Sequence, residues 1–569
     1  MTRRAKTIAT LVLSIAMILG ILAGCGTTPT NTPAPTSGAT PTTAEKSPFE
    51  LGKFDPPITM TAVSRVGDPV YLYNDTLNDN AHTRWDLDQF GIRIEYVLEP
   101  ADADSYRTKL QLMISSNETL PDVVVYTQDP VTVGQLIESG KFMPIMETYE
   151  KYAGTEYKKH AEANPQIFYP FMKDGVAYGI PILEYAHNAD TLMWIRKDWL
   201  DALSLDIPKT VDDLEVVLQK FKYENPDGFT PEEVFPFTFS FKNGAKTWLS
   251  TMDWFFGAYG TVPMQWNPMP DGSLAYGSIQ PGAKDALLKL KDWMDKGYIP
   301  QDVATWDEFT ATQIFVQGKA GVIGGGNWVM DWPCNGVKAE FPDAEVVPVG
   351  LIAGPDGKMG ATMDITAANG VMLINKDFAH PEAYWMYYNY LLENYANPPV
   401  GGVFEYGFAQ GYDWEIIDGV PTNDKTKLKE NGIDYDYSYF NFLTMMPGNP
   451  ARIPSSYFDA LIKLADGLDP VTPFEKRMAV ERSLETRMAA KVIMAEADKR
   501  TQNAFTGAPT VTMTEKWSLL FQAELETYTK MLYGQVDAAG FDAFVANWLK
   551  DGGEQVTKEV NDWYKSVTD

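Results

Sequence analysis

Ile58-Thr59-Met60-Thr61-Ala62-Val63, Ile92-Arg93-Ile94-Glu95-Tyr96-Val97-Leu98 and Asp122-Val123-Val124-Val125-Tyr126 are three short runs dense in β-branched and aromatic residues, the composition of strands. Between the first two, Ala81 to Phe90 reads as a helix. Between the second and third, Ser105 to Ser115 places Tyr106, Leu110 and Met113 at helical spacing. Strand, helix, strand, helix, strand predicts parallel β-α-β units, because a parallel neighbour is reached only by a crossover. An α/β fold is expected.

The alternation continues downstream. Gly175-Val176-Ala177-Tyr178-Gly179-Ile180-Pro181 predicts a hairpin corner, Thr191 to Ile195 a strand, and Asp198-Trp199-Leu200 the start of a helix. Thr210 is placed to cap a helix over Val211 to Phe221, with Asp212 and Asp213 at its positive end. From Gly282 to Lys296, Ala283, Leu287, Leu290 and Met294 form one apolar stripe that should cover a sheet. Asp307 to Gln317 is a similar helix, Ala320 to Ile323 a short strand entering Gly324-Gly325-Gly326, and the tail from Trp517 to Tyr564 is expected to be helical throughout.

The ends of the chain carry a different message. Arg3, Arg4 and Lys6 precede an uncharged apolar stretch from Ile8 to Leu22 that ends in small residues before Cys25, the three-part layout of a secretory signal. Leu22-Ala23-Gly24-Cys25 resembles the bacterial lipobox, so residues 1–24 read as a leader and Cys25 as the lipidated first residue of the mature chain. Cys334 is then left without a partner, and no internal disulfide is available; it reads as a partly buried small apolar residue.

Residues 25–49, rich in Thr, Pro, Ala, Gly and Ser, cannot bury enough apolar surface to offset the cost of ordering and read as a tether. The remaining body, 45% apolar across the chain, suffices for two cores. A formal charge of −29 makes it a poor nucleic-acid ligand.

Several segments, spread over nearly the whole chain, resemble the family 1 extracellular solute-binding proteins, in particular their large Gram-positive lipoprotein branch associated with complex sugars. They are Leu120-Pro121-Asp122-Val123, Tyr178-Gly179-Ile180-Pro181, Arg196-Lys197-Asp198-Trp199-Leu200 with Pro208-Lys209-Thr210, and Lys296-Gly297-Tyr298-Ile299. Gly318-Lys319-Ala320-Gly321 ahead of Gly326-Asn327-Trp328 follows, then His380-Pro381-Glu382-Ala383, and finally the tail with Phe541 to Trp548, Gly552-Gly553 and Glu559-Val560-Asn561-Asp562-Trp563-Tyr564.

The resemblance implies a two-lobed α/β fold of the periplasmic-binding type, with several crossings between lobes and the ligand in the cleft. By analogy one lobe lies mainly in residues 50–180 plus part of 365–445, and the other in 181–360 plus later helices, with a helical region at 446–569 completing them. It also implies ABC permease subunits as partners and no catalysis. Attachment through Cys25 would hold the chain at the outer face of the cell membrane.

A sugar offers C–H patches that stack on aromatic faces and hydroxyls that need donors and acceptors once water is excluded. The chain has 15 Trp and 29 Tyr. Several of these sit at expected loops or strand ends, where α/β folds place ligand groups, and Trp85, Tyr185, Trp248, Trp254, Trp266, Trp328 and Trp332 are the aromatic candidates. Trp328 follows a strand and a triple glycine that can let backbone approach a ligand, at the start of a possible helix, and Asn327 can fork onto two hydroxyls. The polar candidates are Arg65, Thr127, Gln128, Glu184 and Asp364. For Arg196 an ion pair with a neighbouring carboxylate is the favoured reading.

No cofactor is required. Some relatives carry a calcium loop after the helix that follows Pro208-Lys209-Thr210. Here Glu224-Asn225-Pro226-Asp227-Gly228-Phe229-Thr230-Pro231-Glu232-Glu233 lacks the alternating oxygen ligands of such a loop, which weakens the case for calcium.

Two other classes stay open. A surface glycoside hydrolase needs two carboxylates flanking one bond, and nothing among 76 acidic residues marks out such a pair. His82, His160, His187 and His380 form no His-Glu-x-x-His motif, no Gly-x-Ser-x-Gly elbow is present, and the histidines read as surface or cap residues. A peptide-binding lipoprotein is the third class, since 24 Met can line a permissive groove.

Overall fold

The computed structural model describes residues 47–64, 71–99, 102–126, 130–433 and 451–568. Two main sheets are built from β1 (Ile58–Val63), β2 (Ile92–Leu98), β3 (Val123–Tyr126), β4 (Gly179–Leu183), β5 (Thr191–Arg196), β6 (Phe237–Thr238), β7 (Val322–Gly326), β8 (Val346–Val349) and β9 (Ala368–Ile374). The first sheet has the order β2-β1-β3-β9-β4. Its β1 runs parallel to both β2 and β3, with Ile58 opposite Ile92 and Ala62 opposite Val123, as the β-α-β pattern predicts. β9 returns antiparallel between β3 and β4. The second sheet has the order β8-β5-β7-β6, in which only β7 and β6 are parallel.

Successive side chains of a strand face opposite ways, and here both faces are covered. Val123 and Val125 of β3 enter one apolar cluster while Val124 and Tyr126 enter another. In β5, Met193 and Ile195 face one core and Leu192 and Trp194 the other. Burial on both sides is why these strands read as unbroken apolar runs.

The helices follow their sequence signals. Asn80 caps Ala81–Phe90 in a reciprocal box with Thr83, and Thr210 caps Val211–Tyr223 with Asp213 in the same way. In Pro281–Asp295 the predicted stripe Ala283, Leu287, Leu290 and Met294 is buried against the second sheet's core. The tail departs from expectation: it forms Val511–Leu532, Ala538–Trp548 and Glu554–Thr568, interrupted at residues 533–537, where Gly534 adopts φ 67°. Those helices and Ser456–Ala465, Pro473–Glu481 and Leu484–Ala495 all pack on cores of the second sheet. Among the described residues no helix is long and apolar enough to cross a membrane.

Two expectations for single residues also change. His82 is not a surface or cap residue; it is fully buried beside Trp85, Tyr387 and Phe408, with Nε2 3.3 Å from the equally buried Asp86, and burial pushes its imidazole down to about 3. Cys334 is buried outright, and its thiol is pushed up to about 12.

The protein is two-lobed, and among the described residues the chain passes between the lobes three times. It leaves the first sheet after Leu183 for β5, returns after Val349 to β9, and crosses again between Ala451, in a first-sheet core, and Tyr457, in a second-sheet core. These crossings are hydrogen-bonded to one another. Glu184 N–H donates to the Ala367 carbonyl (2.8 Å), Ala186 N–H to Pro454 (3.1 Å), and His187 N–H to Asp364 (2.7 Å).

Candidate ligand site beside the crossings

The parallel strands β1 and β3 end on the side of the first sheet where Leu183 leaves and Ala368 enters. In the second sheet β7 ends at Gly326, opposite Thr191 where β5 begins, and Leu249 bridges to Gly325. Strand ends and crossings therefore share one edge, the place where open α/β sheets bind ligands.

At this edge three indoles form a staircase. Trp248 lies 5.9 Å from Trp328 and 6.1 Å from Trp332, centroid to centroid, with interplanar angles of 19° and 16°. Phe309, in the first turn of Glu308–Val316, meets Trp248 and Trp332 edge-on at 5.5 and 5.6 Å and props them. Trp248 and Trp332 are 50% exposed and Phe309 47%. Trp328 is half-buried because its Nε1 donates to the Asn188 carbonyl in the first crossing, 3.0 Å away. So much aromatic surface left in water, in rings already held parallel, is a stacking platform awaiting an apolar face.

Polar groups gather at the neighbouring crossings. Asp190 is buried and accepts from His187 Nδ1 (2.9 Å) and from the Asp364 N–H (2.5 Å). Asp364 is half-buried, takes the Thr366 hydroxyl on Oδ1 (2.9 Å), and its carboxyl is held above its ordinary range by burial and by the charges of Asp190 and Glu184. Lys246, also half-buried, donates to Gln265 Oε1 (2.6 Å) within the field of Asp253, Asp364 and Asp190, and burial lowers its pKa. Lys246 and Asp364 are thus crowded by protein on most sides while remaining partly exposed.

The structure separates the sequence candidates. Trp248, Trp328 and Trp332 come together, and Asp364 lies at the second crossing as expected. Trp254 and Trp266 do not join them: 1% and 3% exposed, they are core residues. Trp85 packs among Phe90, Tyr390, Phe404 and Phe408 in the first lobe. Glu184 and Tyr185 are buried and hold the crossings, Glu184 paired with Arg452 and Tyr185 stacked on Tyr457 at 4.3 Å and 15°. Arg65, Thr127, Gln128 and Cys25 lie outside the described residues.

Asn327 cannot fork onto hydroxyls, being fully buried with Nδ2 directed at the Tyr457 hydroxyl (3.4 Å). No helix starts at Trp328; turns follow, and the next helix is Gly336–Glu340. The triple glycine serves the protein's own packing. A Cβ on Gly324 would lie 2.1 Å from the Thr251 carbonyl oxygen and 2.4 Å from Trp254 Nε1, and one on Gly326 2.8 Å from Trp328 Nε1.

Sequence reasoning missed Phe309, Lys246, Asn188 and Asp190. The cue available was the short, polar Asn188-Ala189-Asp190 link between two buried strands.

The residues at 224–233 do not suit calcium. Asn225 Oδ1 already accepts the N–H groups of Asp227 (3.1 Å) and Phe229 (3.3 Å), and Glu233 accepts the Thr230 N–H and hydroxyl at 2.9 Å each. Asp227 is held by Trp199 Nε1 (3.0 Å) and by the buried Arg196 guanidinium (3.1 Å), which also pairs with Asp198. Asp227 is thus already engaged by a fixed cation. Among the described residues no group of three or more His, Cys, Asp or Glu is placed to hold a metal.

Residues 44–397 match the family described as bacterial extracellular solute-binding protein. The chain belongs to that family. This solute-binding protein is 26% identical over 470 residues to lipoprotein LipO of Bacillus subtilis (strain 168), covering 81% of this chain and 84% of that one. Its fold matches the crystal structure of alginate-binding protein AlgQ2 without calcium ion with a TM-score of 0.65 at 16% identity, covering 90% and 99% of the two chains. It likewise matches the Streptococcus pneumoniae ABC-transporter substrate-binding protein FusA in complex with kestose, with a TM-score of 0.63 at 18% identity over 90% and 99%.

Proposed function

We propose that this solute-binding protein is the receptor of an ABC importer, capturing an oligosaccharide in the crevice between its lobes and presenting it to permease subunits without altering it. The observation that carries the reading is the exposed staircase Trp248, Trp328 and Trp332 beside the three crossings. A tier of parallel rings suits consecutive sugar units better than a single small solute. The named ligands of the solved relatives, alginate and kestose, support a saccharide and differ in charge.

Closure follows from where the site lies: ligand touching both lobes favours a closed state over an open one. Lipid attachment at Cys25 is part of the same proposal. It is supported by the lipobox-like Leu22-Ala23-Gly24-Cys25 and by the likeness to LipO. Labelled palmitate should enter the expressed chain and not its Cys25→Ser variant.

The test of capture is thermal stabilisation and calorimetry with a panel of oligosaccharides and peptides, with product analysis alongside. A saccharide should raise the melting temperature and be recovered intact. Trp332→Ala, at a half-exposed position, should leave the unliganded melt nearly unchanged and weaken binding at least about tenfold. Cleavage of the sugar, or undiminished binding by the variant, refutes the proposal.

A further inference from the structure

Resting on the saccharide reading, the charges around the platform narrow the class of sugar. Asp190, Asp253, Asp364 and Glu184 converge on the crossings, four carboxylates against the three cations Arg452, Arg500 and Lys246 among the described residues. Arg452 is paired with Glu184. Arg500 gives Nη1 to the carbonyls of Thr191 (2.8 Å) and Thr362 (3.3 Å) and stands in the field of Asp190, Asp253 and Glu496. Lys246 donates to Gln265 Oε1 and stands in the field of Asp253, Asp364 and Asp190. Farther out, Arg482 has Asp331, and Arg477 has Glu481 and Asp413.

Three internal stretches outside the described residues are together acidic in composition. Residues 65–70, 127–129 and 434–450 contain one basic residue, Arg65, against Asp68, Asp129, Asp434 and Asp436.

Asp364 is the carboxylate with capacity to spare. Of the roughly four acceptor directions of an ionised carboxylate, the Thr366 hydroxyl takes one and the Ala367 backbone leans on another. It needs hydroxyl donors, which every sugar carries. A carboxylate on the ligand would instead meet Asp364, Asp190 and Glu184 in a desolvated crevice, after approaching a chain of formal charge −29 that repels polyanions.

We infer that the ligand is a neutral oligosaccharide, recognised at the platform's edge by hydroxyl donation to Asp364, and that uronic-acid oligosaccharides are rejected.

Calorimetry on the intact protein decides between the classes, using neutral gluco-, fructo-, xylo- and manno-oligosaccharides against oligogalacturonides and alginate oligomers of matched length, at low and high salt. At least one neutral chain should bind, with affinity nearly independent of salt, and no uronide should bind at either salt. Asp364→Asn, which keeps shape and removes charge, should weaken that neutral ligand about tenfold and leave the platform's tryptophan fluorescence in the unliganded chain as it was.

A uronide that binds and is lost on Trp332→Ala keeps the saccharide site and overturns its charge class. Undiminished neutral binding by Asp364→Asn overturns the role of that carboxylate. A protein that takes neither panel overturns the saccharide reading and this inference with it.

Discussion

Glu524 is a carboxyl taken out of water by its neighbours: 1% exposed in Val511–Leu532, it accepts from the Tyr276 hydroxyl at 2.9 Å, and burial pushes its pKa from 4.5 up to about 7. The folded chain therefore keeps a proton that the unfolded chain releases above about 4.5. Its contribution to stability is complete below that pH, falls as pH rises towards 7, and is gone above it, a difference on the order of 3 kcal/mol. Melting curves of Glu524→Gln should accordingly decline less than the parent's between pH 4.5 and 8; an equally steep decline assigns the effect to another group. Nothing in the sequence around Glu524 signals this, because its environment is assembled from Tyr276 and Ser278, far away in the chain. The same holds for the tryptophans. Trp248 and Trp254 are six residues apart in similar company, yet one is half-exposed and the other 1% exposed. Residue type announced that aromatic rings would be plentiful; remote packing chose which of them stay exposed.

At the scale of elements the sequence was far more legible, since a strand or helix is specified by its own pattern. The strands expected at 58–63, 92–98 and 122–126, the Thr210 cap and the stripe of the helix expected at 282–296 appear within a residue of their expected bounds, because period and caps are local properties. The glycine run was legible as a close approach and misleading as to what approaches. Its neighbours are Trp254, Thr251 and Trp328 of the same lobe, and identity of a partner is not written in a glycine. Gly324→Ala is then a packing test: with a methyl 2.1 Å from the Thr251 carbonyl oxygen, the strand must shift at a cost of about 2 kcal/mol or more. The expected drop in melting temperature should come with weaker saccharide binding, since Trp328 follows the end of β7 by two residues. A variant as stable as the parent removes that account of the run.

For the molecule as a whole, the three crossings converge on a strip narrow enough for Glu184, Ala186 and His187 to bond partners from the other two. The rotation that the proposed closure requires would be concentrated in a few backbone links, with the two apolar clusters on the faces of each sheet moving as intact bodies. The platform sits on the second lobe alone. A ligand stacked there stabilises closure only to the extent that it also reaches the first, because a ligand indifferent to the two states shifts neither. Chain length of the sugar should therefore govern the response. In small-angle scattering the radius of gyration should shrink with a saturating oligosaccharide and remain unchanged with the monosaccharide of the same type, even where both quench the indole fluorescence of the staircase. Equal contraction by both would mean that one ring suffices to bridge the lobes, and no contraction by either would mean that the crossings do not act as a hinge.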